Sequence, residues 1–210
     1  MRSKRILWVL PILAFSALPL MANSQDYVYV NGSNGGISNG YPIGPYGGTL
    51  NGSPAQFFCV DCNSPIYANT GWTANVTNLV SSSGYGQTFL QSQTTYLEMA
   101  WLAMQMMNPR NSKAIDAQLQ WAIWYLSLNK SQQNSSFPNY QTDLYWDQQA
   151  LKAVNAPGFA LTGWEILTPA GRYGQEFLFD PPPGAATPEP STLLLLSAGL
   201  ITLAVTSRRK

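Results

Sequence analysis

The sequence predicts an α+β fold: an antiparallel β-sandwich or partly open barrel with an inserted two- to three-helix subdomain. Up to about residue 93, short β-prone runs alternate with Asn-Gly turn signals. From residue 94 to about 155 the apolar residues recur with helical spacing instead, and two β-prone segments then follow. A strand block, a helical block and a closing strand block together suit one domain with its own core.

The first block contains the β-prone runs 27–30 and 56–60. Asn-Gly pairs favour the tight turns of β-hairpins, because both residues tolerate a left-handed backbone. Three such pairs predict hairpin turns here: Asn31-Gly32, Asn39-Gly40 and Asn51-Gly52.

The second block predicts three helices, followed by two strands. Thr94 or Thr95 is the expected cap of a buried first helix that ends at Asn108-Pro109. A second helix over 112–128 has an apolar stripe, and a third covers 142–154. The stripe consists of Ile115, Leu119, Ala122 and Leu126. Closing strands are predicted at 160–167 and 173–179, with Thr168-Pro169 and Gly171 between them.

The N-terminal residues 1–24 have the pattern of a secretory signal peptide. Three basic residues lie at positions 2, 4 and 5, an apolar stretch covers 6–20, and Ala22 and Ser24 are small residues suited to a cleavage site. The exported globular domain is therefore expected at 25–180, followed by a Pro/Gly spacer at 181–187.

The C-terminal residues 188–210 have the pattern of a sorting tail. An apolar run at 193–205 precedes a basic cluster at 208–210, which the positive-inside rule keeps cytoplasmic. The turn before it is Pro188-Glu189-Pro190. This arrangement resembles the PEP-CTERM tail, which implies a transient inner-membrane anchor, removal by an exosortase-type sorting protease, and delivery to the cell surface or extracellular matrix. A permanent anchor is the alternative, although the run is shorter than the roughly 20 residues of a usual span.

The charge of the predicted mature region argues against nucleic-acid binding. Of 11 basic and 10 acidic residues, six basic ones and one acidic one lie in the terminal segments. The remaining five basic and nine acidic residues give a net charge of −4, which does not attract phosphate backbones.

The residue inventory excludes most catalytic sites. The chain has no histidine and two cysteines, so neither a Ser-His-Asp triad nor a closed zinc site can form. Phosphate-binding glycine loops and calcium loops are absent from the sequence. We therefore expect no metal, no cofactor and no enzyme activity toward a diffusible substrate.

Two short motifs remain, and together they resemble a known family. Phe58-Cys59 lies on a predicted strand that ends in a C-x-x-C, and Gln120 begins a Gln-x-Ala-Ile-Trp motif on the second predicted helix. Bacterial thioester domains of surface adhesins pair an aromatic-Cys strand with such a helix, and the likeness covers about 41–179. The family usually has Thr before the Gln, where this chain has Leu119.

The resemblance implies a covalent adhesion mechanism. In that family the Cys thiol and the Gln carboxamide condense into an internal thioester, so Cys59 and Gln120 are the candidate pair here. A thiolate is a better leaving group than an amine, so the stored acyl group can transfer to a surface amine. Asp61 and Asp116 are candidate proton-transfer helpers, the latter four residues before Gln120 on the same helical face.

The same residues have other interpretations. In an exported protein, Cys59 and Cys62 also suit a structural disulfide or two buried thiols, and Gln120 suits a bond to the backbone. The alternative function is a non-covalent structural or polysaccharide-binding surface protein. Asp143, Asp147 and Glu165 are also candidates for a glycosidase pair or a cation site, and three tryptophans are candidates for stacking on sugars. Those tryptophans are Trp72, Trp146 and Trp164.

Overall fold

A computed structural model describes residues 25–64, 67–81, 83–134, 137–171 and 173–181. The strands are β1 Gln25–Ser33, β2 Gly36–Ser38, β3 Tyr41–Ile43, β4 Tyr46–Leu50, β5 Ser53–Cys59, β6 Thr70–Asn78, β7 Glu165–Pro169 and β8 Phe177–Phe179. Six of them close an antiparallel barrel in the order β1-β4-β5-β8-β7-β6, and β2 and β3 form a separate hairpin. This confirms the α+β prediction, with a barrel that is closed.

Two of the three predicted Asn-Gly turns are present. Asn39-Gly40 joins β2 to β3 and Asn51-Gly52 joins β4 to β5, all four residues with positive φ as a tight hairpin turn requires. The prediction was wrong for Asn31-Gly32, which lies inside β1 where the register with β4 shifts. A β-bulge needs the same permissive residues as a turn, so this pair alone does not distinguish the two.

The three predicted helices are present as α1 Gln93–Met106, α2 Lys113–Ser127 and α3 Tyr140–Val154. The cap of α1 is Ser92, earlier than predicted, and its side chain accepts a hydrogen bond from the Thr95 amide. Ser112 caps α2 in the same way. α3 begins two residues before the predicted position, directly after Asn139 in the left-handed conformation.

The two closing strands are shorter than predicted. Strand pairing begins only at Glu165, opposite Asn78 of β6, and at Phe177, opposite Cys59 of β5. The apolar residues before Glu165 serve packing instead, because Leu161 and Trp164 are buried against the helices. Apolar composition predicted burial here but not the strand boundary.

Alternation along the strands divides the core into two clusters. The inner cluster fills the barrel and includes Phe57, Cys59 and Phe177. The helix-facing cluster lies between the barrel and the helices and includes Phe58 and Leu178. Adjacent strand residues point to opposite faces, so Cys59 points into the barrel while Phe58 points toward the helices.

The predicted signal peptide, the sorting tail and all of the spacer except its first residue lie outside the described residues. Within the described ranges, no helix has both the length and the apolar character needed to span a bilayer.

Candidate functional site

Cys59 is the last residue of β5, and its thiol is enclosed at the barrel interior. It is fully buried, and its sulfur accepts a hydrogen bond from the Trp124 indole Nε1 at 3.1 Å. The thiol in turn donates to the Asp61 backbone carbonyl at 3.4 Å. Burial raises the pKa of the Cys59 thiol, while the Trp124 hydrogen bond acts in the opposite direction. The thiol is therefore neutral at rest, with one donor already directed at its sulfur.

The Gln120 side chain lies beside Cys59 and is 0% exposed. Its Nε2 donates to the Cys59 backbone carbonyl at 2.8 Å, and its Oε1 accepts from the Gly44 backbone N–H at 3.2 Å. A carbonyl can only accept and a backbone N–H can only donate, so these two partners fix which way the carboxamide faces. The amide nitrogen faces the cysteine and the amide oxygen faces Gly44.

Gly44 follows β3 and approaches the carboxamide more closely than any other residue type allows. A Cβ built on Gly44 would lie 2.7 Å from Gln120 Oε1, inside van der Waals contact. Any larger residue at this position would therefore require the carboxamide or the backbone around Gly44 to shift.

Helix α2 presents its functional side chains through helical spacing. Gln120, Trp124 and Ser127 are separated by four and three residues, so they share one face. The first two contact Cys59, and Ser127 Oγ lies 3.6 Å from Cys62 Sγ. Another face of α2 packs Leu119 and Ile123 into the helix-facing cluster. The face with Leu119 and Ile123 packs the helix into the core, and the face with Gln120 and Trp124 contacts the end of β5.

The two cysteines, which are not bonded to each other in the structure, differ in environment. Cys62 is half-buried and lies just beyond the end of β5, with the Ser127 hydroxyl near its sulfur. Burial raises the pKa of Cys62 as well. The disulfide alternative, Cys59 with Cys62, stays a prediction.

The two predicted proton-transfer helpers are held by other groups. The Asp61 carboxylate accepts from the Asn63 backbone amide at 2.9 Å, and only its backbone carbonyl contacts the Cys59 thiol. The Asp116 carboxylate accepts a hydrogen bond at 3.0 Å from Nδ2 of Asn111, which lies in the connection between α1 and α2. Their roles in proton transfer stay predictions, and neither carboxylate has a hydrogen bond to Cys59 or Gln120 among the described contacts.

The β2–β3 hairpin lies against α2 at the site. Trp121 Nε1 donates to Ser38 Oγ at 3.1 Å. The Tyr41 ring meets the Trp121 and Trp124 rings edge-on, with centroids 5.7 and 6.1 Å apart. Sequence reasoning did not identify Gly44 or this hairpin contact, because both depend on two segments about 80 residues apart in the chain.

The other sequence candidates lie apart from this contact. Asp143 is buried, and burial raises its pKa to about 7. Burial also raises the pKa of Glu165 on β7 to about 7. Trp164 is buried against Phe58, so its faces are not available for stacking on a sugar. Across the described part of the chain, no group of three acidic or cysteine side chains is arranged to hold a metal ion.

Residues 186–210 match the PEP-CTERM protein-sorting motif. This confirms the sorting tail predicted from Pro188, Glu189 and Pro190, and with it export and sorting to the cell surface. Exosortase as the processing protease is implied by the motif.

Among curated proteins, none matches the sequence. Solved structures with a similar fold include the N-terminal domain of the Streptococcus pyogenes pilus tip adhesin Cpa, at 17% identity and TM-score 0.44, covering 74% of this chain and 92% of that one. The N-terminal thioester domain of the S. pyogenes fibronectin-binding protein SfbI has 14% identity and TM-score 0.40, with the same coverage. That of a Clostridium perfringens surface protein has 10% identity and TM-score 0.42, covering 74% and 98%. At these identities the structural matches do not establish the chemistry of the site in this chain.

Proposed function

We propose that this exported surface protein attaches covalently to a partner through an internal thioester between Cys59 and Gln120. The observation that carries the proposal is the buried carboxamide of Gln120, held between the Cys59 carbonyl and the Gly44 amide. A glutamine buried only for packing requires its polar atoms to be satisfied. Here one of the satisfying partners is the backbone carbonyl of Cys59, the residue whose thiol is proposed to attack the amide.

Bond formation follows from this arrangement. The Cys59 sulfur attacks Gln120 Cδ, the C–S bond forms, and the bond from Cδ to Nε2 breaks. The thiol proton leaves with the departing nitrogen, so one ammonia is released. Negative charge develops on Oε1 during the attack, and the Gly44 N–H already points at that atom at 3.2 Å.

Attachment is the second step. A deprotonated amine of the partner attacks the same carbonyl carbon, a C–N bond forms, and the C–S bond breaks. The proton from the amine passes to the Cys59 sulfur. The Trp124 indole N–H donates to that sulfur, so it stabilises the negative charge that the leaving group carries. The reaction occurs once per molecule, so the protein is an adhesin or matrix component with no turnover.

Intact mass of the purified protein tests the proposal. We expect wild type to be lighter than its sequence by one ammonia and to gain one methylamine on incubation. Cys59→Ser, the matched variant, is expected to do neither. Cys62→Ser is expected to behave as wild type, because its sulfur takes no part in the bond.

The contrary outcomes are separately recognisable. A mass lower by two hydrogens, restored by reductant and abolished in Cys62→Ser, would establish the disulfide instead. A full sequence mass with two alkylatable thiols in the native protein would leave the non-covalent alternative, a structural or polysaccharide-binding surface protein.

A further inference from the structure

The β2–β3 hairpin contacts Trp124, the residue whose indole nitrogen bonds to the Cys59 sulfur. Tyr41, at the start of β3, is 54% exposed, and its ring lies edge-on to the Trp124 ring. Trp124 is 4% exposed, and its indole nitrogen lies 3.1 Å from the sulfur. Tyr41 and Trp124 thus form a chain of contacts from the protein surface to the Cys59 sulfur.

The base and the tip of this hairpin are held differently. At the base, Asn34 N–H donates to the Pro45 carbonyl at 2.9 Å, Gly35 N–H donates to the Ile43 carbonyl at 3.1 Å, and Ile43 is buried. The tip, 37–41, contains the exposed Asn39-Gly40 turn. It meets α2 through the hydrogen bond from Trp121 to Ser38 and through the Tyr41 ring. The base is therefore closed by backbone hydrogen bonds, whereas the tip is held to α2 by side-chain contacts.

We propose that the hairpin tip is a gate over the thioester and that Tyr41 determines which nucleophiles pass it. This inference rests on the proposed function. The gate admits slender primary amines and holds back water and branched amines. Gly44 belongs to the base, so its N–H stays on Gln120 Oε1 when the tip opens, and the carbonyl stays polarised during attack.

The chemistry of the lining fits an amine on an alkyl chain. Aromatic rings bury the methylene stem of an alkylamine against their apolar surface and attract its ammonium form, which loses one proton to solvent before the neutral amine attacks. Water gains nothing comparable there, and exclusion of water prevents hydrolysis of the stored acyl group. The transfer itself is the step described above: the amine nitrogen replaces sulfur on Gln120 Cδ, and its proton goes to Cys59.

The first test measures access to Cys59 without requiring a thioester. In full-length protein carrying Cys62→Ser and Gln120→Met, Cys59 is the one thiol and no acyl group can reach it. We expect Tyr41→Ala to accelerate iodoacetamide alkylation about tenfold, corresponding to about 1.4 kcal/mol in the opening equilibrium. Tyr41→Phe keeps the ring and is expected to keep the parent rate. The acceleration should not vary with low urea, which distinguishes local opening from global destabilisation.

The second test measures selection in Cys62→Ser protein that retains Gln120. We expect the parent to react with methylamine much faster than with tert-butylamine, and Tyr41→Ala to lose much of that discrimination and to hydrolyse faster. Unchanged alkylation and unchanged discrimination in Tyr41→Ala would overturn the gate even if the thioester forms. A parent that neither loses ammonia nor takes up methylamine would overturn the proposed function and amine selection together, whereas faster alkylation would still establish that the tip covers Cys59.

Discussion

Gln120 at the barrel end and Asp143 in the helical layer are both buried polar side chains, but they differ in their hydrogen bonding. Both are 0% exposed. Gln120 has a backbone partner at each end of its carboxamide, whereas neither Asp143 oxygen has a hydrogen-bond partner within the described residues. Full satisfaction fixes one orientation of the amide, as the proposed reaction requires. The unpartnered carboxyl is compatible with burial only in its neutral form, and burial raises its pKa to about 7.

The largest expected effect comes from removing the partner that holds the Gln120 oxygen. In Gly44→Ala the new Cβ would lie 2.7 Å from Oε1, so the carboxamide or the hairpin base must shift and the hydrogen bond is lost. We expect thioester formation to slow about 100-fold, the usual effect of losing one oxyanion donor. The measurement is the rate of ammonia loss by mass after refolding.

Gly86→Ala is the matched control for this variant, since a Cβ there meets no atom within 4 Å. If the thioester forms at the wild-type rate in Gly44→Ala, the hydrogen bond from the Gly44 N–H to Gln120 contributes to the fold and not to the reaction.

A smaller effect is expected from removing the donor to the sulfur. Trp124→Phe keeps an aromatic ring but deletes the N–H that lies 3.1 Å from Cys59. We expect both formation and methylamine uptake to slow about tenfold, because the thiolate loses one hydrogen bond. Trp121→Phe is the control, since its N–H donates to Ser38, and it should form the thioester at the wild-type rate. Equal rates of thioester formation in Trp124→Phe and Trp121→Phe would contradict a role for the Trp124 N–H.

The remaining expected effect concerns Asp143 and is on stability alone, with the chemistry of the site unchanged. A carboxyl whose pKa is raised from 3.8 to about 7 on folding stabilises most at low pH, and this contribution falls as the pH rises from about 4 to about 7. We expect Asp143→Leu to raise the free energy of unfolding at pH 8 by about 1–3 kcal/mol. Urea unfolding at pH 5 and pH 8 measures it.

Part of the pH dependence should persist in Asp143→Leu, because burial also raises the pKa of Glu98 and of Glu165 to about 7. Asp143→Asn, which cannot ionise, should lose the same part of the pH dependence. It should not gain the stability that the apolar leucine side chain provides in Asp143→Leu. No difference in pH dependence between wild type and both variants would show that Asp143 does not titrate in this range.

The sequence predicted the helices well because their signals are local. Ser112 capping and the stripe through Leu119 and Ala122 are readable within one segment. The Asn31-Gly32 pair and the residues before Glu165 were misassigned, because their conformation depends on pairing with distant strands. Closure of the barrel is likewise a property of six separated segments.

The site was only partly predictable for the same reason. The motif residues Cys59, Gln120 and Trp124 stand out in the sequence, but the Gly44 contact depends on a backbone atom and carries no side-chain signal. Burial of Asp143 had a weak signal, since it lies seven residues before the buried Ala150 on α3 and therefore on the same face.

The 61 positions that separate Cys59 from Gln120 have a thermodynamic consequence. A covalent cross-link over that distance restricts the unfolded chain and is expected to stabilise the native state by about 4 kcal/mol in the loop-entropy description. In the proposed reaction, transfer of the acyl group to a partner opens this loop. Protein with an intact thioester should therefore melt at a higher temperature than protein whose acyl group has been transferred. A thermal scan of a mixture should resolve the two transitions.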